Sequence, residues 1–159
     1  MFFAGEATVS ETRTIGSGSV RDFQWTLEAG GEDAGYWTGL EVIGPSDYRC
    51  SGGMAGPKLW GEDVICTYGG RSDEGPLGIV VRADPAVTRV VVLAGDGEES
   101  DLLACGSGIV DGLRFYVGFA WPQPPSGKFG LHELRAYDDD GNLLAADDLS
   151  FWDRMRRGA

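Results

Sequence analysis

The chain has 159 residues, 42% of them hydrophobic and 24% charged, the balance of an ordinary globular protein long enough to bury one real core. Thirteen basic residues against 25 acidic ones leave a net charge of −12, which repels nucleic-acid phosphates and anionic lipid headgroups and excludes both as primary partners. No run reaches the roughly 20 apolar residues of a spanning helix, so membrane insertion by this chain is not expected, and the opening MFFAGEATVS has neither the basic n-region nor the long apolar h-region of a secretory signal.

In chain order, a first strand is read in ATVSETRTI. Period-two alternation is clearest in RDFQWTLEAG, where Phe23, Trp25 and Leu27 face one way and Gln24, Thr26 and Glu28 the other, the mark of a half-buried strand. Strand-length segments follow at YWTGLEVI, EDVICTY, LGIVVRA, TRVVVLA, EESDLLA, LRFYVGFA, LHELRAY and NLLAADDL. Asp96-Gly97 and Asp140-Gly141 sit between apolar runs, where a tight hairpin needs residues that tolerate positive φ. Val87 to Ala94 is therefore expected to pair antiparallel with Glu98 to Ala104. The tail SFWDRMRRG predicts a short C-terminal helix with Ser150 as N-cap and Phe151 and Met155 on one face. The loosest stretches are Gly30 to Gly35, Gly69 to Pro76 and Trp121 to Lys128, and Gly69 to Pro76 is the one place for a subdomain boundary.

About ten short strands without interleaved helices predict an all-β domain over residues 1–159, a mainly antiparallel two-sheet sandwich with a closed barrel as its competitor. Its core is expected to hold Phe23, Trp25, Leu27, Leu40, Val42, Val90, Val92, Phe115, Val117, Phe119 and Leu134.

His132 is the sole histidine, so a multi-histidine zinc site is impossible within one chain, and no G-x-S-x-G elbow supplies a nucleophile for it. It reads as an ordinary strand residue. Cys50, Cys66 and Cys105 with His132 lack the C-x₂₋₄-C knuckle of a zinc site, and GGMAGPKL has Pro57 and Leu59 on either side of Lys58 where a phosphate loop needs Gly and Ser or Thr. DDDGN at Asp138 to Asn142 starts like a calcium loop, but Leu149 stands where the bidentate Glu belongs. That turn, and the acidic hairpin Asp96 to Asp101, are read as solvated tips, with no metal and no cofactor implied.

Trp25 is in phase with the core, whereas Trp37, Trp60, Trp121 and Trp152 lie beside turns. Of these, Trp37, Trp60 and Trp121 are the candidates for stacking on a sugar or a protein partner. Cys50 and Cys66 close strand-like segments, SDYRC and EDVIC, with fifteen residues containing Gly and Pro between them. They are expected to form a disulfide worth about 3 kcal/mol in the chain-entropy model, leaving Cys105 as a buried thiol. The rival is three reduced thiols in a cytosolic protein.

The aromatic early strand, the cysteine pair in DYRCSGGM and VICTYGG, and then VTRVVVLAGDGEESDLLA, LRFYVGFA and LRAYDDDGNLLA together resemble the extracytoplasmic β domains of actinobacterial proteins of unknown function. The resemblance spans Phe23 to Leu144 and does not account for Cys105 or the acidic tip. It implies a location outside the cytoplasm and a non-enzymatic role. The function expected is a non-catalytic binding or interaction module on the cell-envelope side, meeting a protein or carbohydrate partner through Trp37, Trp60 and Trp121. Two alternatives stay open. One is a carboxylate-based hydrolase, which requires a cleft with two acids of unlike pKa. The other is an acidic inhibitor or immunity-type protein that masks a basic partner.

Overall fold

The computed structural model describes residues 12–71 and 75–158. Their elements are β1 (Arg13–Val20), β2 (Phe23–Gly30), β3 (Tyr36–Ile43), β4 (Arg49–Gly56), β5 (Ile65–Gly70), β6 (Leu77–Ala83), β7 (Arg89–Ala94), β8 (Glu99–Asp101), β9 (Leu103–Val110), β10 (Leu113–Ala120), β11 (Leu131–Tyr137), β12 (Leu143–Asp148) and the terminal helix α1 (Phe151–Gly158). The strands form a front sheet in the order β1-β2-β3-β4, a middle sheet β5-β6-β10-β9 and a back sheet β12-β11-β7-β8. The expected all-β, antiparallel architecture holds and the sheets do not close into a barrel. No described helix is long and apolar enough to cross a membrane.

There is one sheet more than the two-sheet sandwich read from the sequence. The reason lies in LGIVVRA. Every residue of β6 is buried: Leu77, Ile79, Val81 and Ala83 pack against the back sheet, while Val80 packs against the front sheet. In β10, likewise, Tyr116 faces back and Phe115 and Val117 face front. A strand covered on both faces has no polar alternation to show, so it reads as a continuous apolar run. Each fully buried aliphatic here contributes about 1.5–3 kcal/mol before the entropy of ordering it.

The hairpin at Asp96-Gly97 forms as expected. Gly97 adopts φ 92°, its amide donates to the Ala94 carbonyl at 3.0 Å, and Leu93 pairs with Glu99. Only three residues of the second strand stay in the back sheet. At the buried Leu102 the chain crosses to the middle sheet, where β9 pairs with β10.

Two glycine-rich stretches, GSGS within β1 and CSGGMAG in β4, form strands that the sequence reading did not assign. Residues 7–11 of the expected first strand lie outside the described residues. Neighbouring aromatics supply the missing bulk. Trp25, opposite Gly18, would sit 3.0 Å from a Cβ there, and the Trp37 ring lies across the cross-strand pair Gly39 and Gly53, where a Cβ on Gly39 would meet it at 2.9 Å. This is aromatic rescue of strand glycines, and it accounts for Trp25 and Trp37 together with part of the glycine content.

Most of the expected core is buried, but Phe23 and Phe119 are only half-buried. Phe23 closes the front edge against Tyr48, ring centroids 5.3 Å apart, and Phe119 belongs to a groove described below. The helix forms, but Ser150 does not cap it with its side chain: the hydroxyl donates back to Asp148 at 2.6 Å and accepts from Arg154. The Met155 side chain lies outside the described ones.

The expected Cys50–Cys66 disulfide is not formed, and all three cysteines are free thiols. β4 and β5 are edge strands of different sheets. Cys50 lines a small cavity with Gly69 and Gly70 at the far end of β5. Cys66 pairs with Arg82, whose guanidinium reaches the Met54 carbonyl, four residues along β4 from Cys50. Four strand residues are about 13 Å, and a disulfide tolerates a Cα separation of roughly 7 Å at most.

Candidate functional site

The structure separates the three candidate tryptophans. Trp37 is 37% exposed on the outer face of the front sheet, its ring flat on Gly39 and Gly53, beside Thr26, Glu28, Glu41 and Ser51. Trp60 is 52% exposed in the β4–β5 connection, its ring beside Gly56. Trp121 follows β10 at the opposite side of the middle sheet and walls a groove of about 540 Å³, a size that accommodates a small ligand or a side chain with its neighbours.

The groove opens where the middle and back sheets part. Its floor is apolar, with Ile79, Val92, Leu102 and Phe129. Gly118 is needed beneath it, because a Cβ there would come within 2.9 Å of Leu102, the residue at which the chain changes sheets. Phe129 is fixed by the helix: Asp153 of α1 accepts hydrogen bonds from the amides of Phe129 (2.7 Å) and Gly130 (3.1 Å). The wall consists of Phe119 and Trp121, ring centroids 6.4 Å apart. The loop after Trp121 is closed by the Gln123 amide donating to the Lys128 carbonyl at 2.8 Å.

Charge gathers at the mouth. Arg21, in the turn between β1 and β2, lays its guanidinium 3.8 Å from the centroid of the Trp121 ring. Glu98, Ser100 and Asp101 line the other side. Asp101 is gripped by Arg89 through two bonds of 3.0 and 3.2 Å, and these hold its carboxyl below the usual range. The acidic hairpin and Trp121, far apart in sequence, thus share one groove. Arg21 and Phe119 were missed as site residues. Arg21 carried one local signal, its place in the Arg-Asp pair of a two-residue turn.

A second polar constellation lies between the front and middle sheets. Arg82 is fully buried on β6 and forms no ion pair among the described residues. Its Nε donates to Thr38 Oγ1 at 2.7 Å, Nη1 to the Pro57 carbonyl at 3.0 Å, and Nη2 to the carbonyls of Tyr36, at 3.3 Å, and Met54. Burial lowers its pKa, and these neutral acceptors hold the charge in place of a carboxylate. At the end of the same interface Asp111, in the β9–β10 turn at φ 54°, accepts from Tyr36 Oη at 2.7 Å and Arg13 at 2.8 Å, while Lys58 reaches its carbonyl at 2.8 Å. Burial raises the Tyr36 pKa, and its bond to Asp111 raises it further, so the phenol stays protonated. These groups answer one another and tie the sheets together.

The remaining candidates are structural or solvated. Asp138 accepts the amides of Asp140 and Asn142, both at 2.9 Å, and the Asn142 side chain, making DDDGN a self-capped turn. His132 is exposed on β11. Burial pushes the Cys66 thiol up and the Cys105 thiol up to about 12, which keeps both protonated and poor nucleophiles. Comparison with protein-family models, curated proteins and solved structures finds no match.

Proposed function

We propose that the chain is a non-catalytic binding module acting on the cell-envelope side, and that its ligand groove is the one walled by Trp121. The observation that carries this reading is the convergence of a half-exposed aromatic pair, an apolar floor and carboxylates on one concavity of ligand size. The envelope location rests on the family resemblance alone, since the disulfide that would have argued for an oxidising compartment is not formed. The hydrolase alternative needs a protonated acid beside an ionised one. The acids at the groove are Glu98 and Asp101, and Arg89 keeps Asp101 ionised.

The test is affinity capture from envelope and cytosolic fractions on immobilised wild-type, Trp121→Ala and Trp60→Ala protein. A partner enriched from the envelope fraction by wild type and Trp60→Ala, and lost with Trp121→Ala, is the expected result. Equal retention by all three baits overturns the groove, and enrichment from the cytosol alone overturns the location.

A further inference from the structure

We infer that the Trp121 groove takes a cationic side chain, arginine above all, from a basic protein segment, and that Arg21 is the built-in competitor for the same ring face. The inference rests on the binding-module reading and names its partner's chemistry. Four observations meet here.

The first is that the ring already holds a guanidinium. Arg21 stacks 3.8 Å from the Trp121 centroid, the arrangement in which a cation is drawn to an aromatic face. It does so from a turn position with φ 52°, where Asn, Asp or Gly is the usual choice and an arginine is mildly strained. The second is that Arg21 forms no ion pair among the described residues, so its place on the ring is held without a carboxylate and is displaced at small cost.

The third is Glu98, which lines the groove and also forms no ion pair among the described residues, in contrast to Asp101 with its Arg89. Glu98 is exposed on the lip of the groove and offers its carboxylate to a second cation of the incoming segment. Apolar neighbours in the incoming segment find Ile79, Val92 and Phe129 on the floor. The fourth is the field of the whole molecule: a net charge of −12 draws a basic partner in and repels an acidic one.

The probe is a fluorescein-labelled peptide of alternating arginine and leucine, read by anisotropy, with a glutamate-for-arginine peptide as reference. Wild type is expected to bind the first and not the second, with affinity falling about tenfold or more between 50 and 300 mM salt. Trp121→Ala should weaken binding about tenfold and Glu98→Gln about threefold, while Arg21→Ala tightens it about threefold by clearing the ring. Asp139 and Asp140 lie at the other end of β11, so the double variant D139N/D140N removes two charges away from the groove and should stay within about twofold of wild type.

No binding at 50 mM salt, weaker binding by Arg21→Ala, or a loss in the double variant as large as that in Glu98→Gln each overturns the inference. Failure of the peptide alongside Trp121-dependent capture of an envelope partner removes the cationic assignment alone. Failure of both removes the binding-module reading too.

Discussion

Replacing Arg82 with methionine keeps the apolar stem between the sheets and removes the guanidinium. Four acceptors then lose their donor: Thr38 Oγ1 and the carbonyls of Tyr36, Met54 and Pro57. Charge-assisted bonds contribute about 1.5–3 kcal/mol each, so the gross loss is at least about 6 kcal/mol. Against it stands the desolvation of a buried charge with no counter-ion, and its release returns several kcal/mol. Carbonyls keep a second lone pair for the strand ladder, which lowers the penalty further. The net expectation is a destabilisation of about 2–4 kcal/mol, or roughly 6–12 °C in Tm for a chain of this length. Arg82→Lys should be no better, because an ammonium cannot span four acceptors in a fork. Urea unfolding measures the size. Hydrogen exchange measures the place: amides of β3 and β4 should lose protection, whereas those of β11, which packs on the other side of the middle sheet, should not. A methionine variant as stable as wild type would refute the claim that Arg82 staples front to middle sheet.

Asp111→Asn should cost about 1 kcal/mol at neutral pH, with Tm following it down. Burial alone would raise the Asp111 pKa, but the bonds from Arg13 and Tyr36 outweigh it and leave the carboxyl below its ordinary value. The carboxylate's contribution is therefore full above the ordinary aspartate range and fades as pH falls below about 4, so the Tm gap between wild type and variant should close in acid and persist at pH 7. Gly53→Ala, which in an open strand would gain several tenths of a kcal/mol, should here lose about 1–3 kcal/mol and alter tryptophan fluorescence, because the new Cβ overlaps the Trp37 ring. Gly52→Ala, one residue away with nothing within 4 Å of its Cβ, should be neutral or mildly stabilising by urea unfolding. Thiol counting under denaturing, non-reducing conditions should find three reactive cysteines, and a count of one would restore a disulfide.

What could be read in advance follows from where the side chains find their partners. Phe23-Gln24-Trp25-Thr26-Leu27 shows its sheet in its alternation because one face meets water and the other a core, and Asp96-Gly97 and Asp140-Gly141 name their turns because few residues tolerate their φ. β4 was not readable in that way. Its apolar cover comes from Trp37 on another strand, and no local pattern in CSGGMAG records that the ring lies over Gly53. The groove was hidden for a related reason. Trp121, Glu98, Arg21 and Phe129 meet only because the chain changes sheets at Leu102 and returns through the helix contact at Asp153.

The third layer had left a trace, and it lay in the one residue that broke a pattern. GIVV continues without alternation and then meets Arg82, a charge inside an apolar run that runs on to Ala83. An exposed arginine at that position would have marked the strand as half-solvated. Full burial forces a different reading: the side chain must satisfy its donors inside the protein, and only a second backbone surface offers several acceptors at once. A strand that is apolar on its back-facing residues and carries a buried fork on its front-facing ones therefore requires a sheet on each side. In this chain those are the back sheet, meeting Leu77, Ile79 and Val81, and the front sheet, whose Tyr36, Thr38 and Met54 receive Arg82.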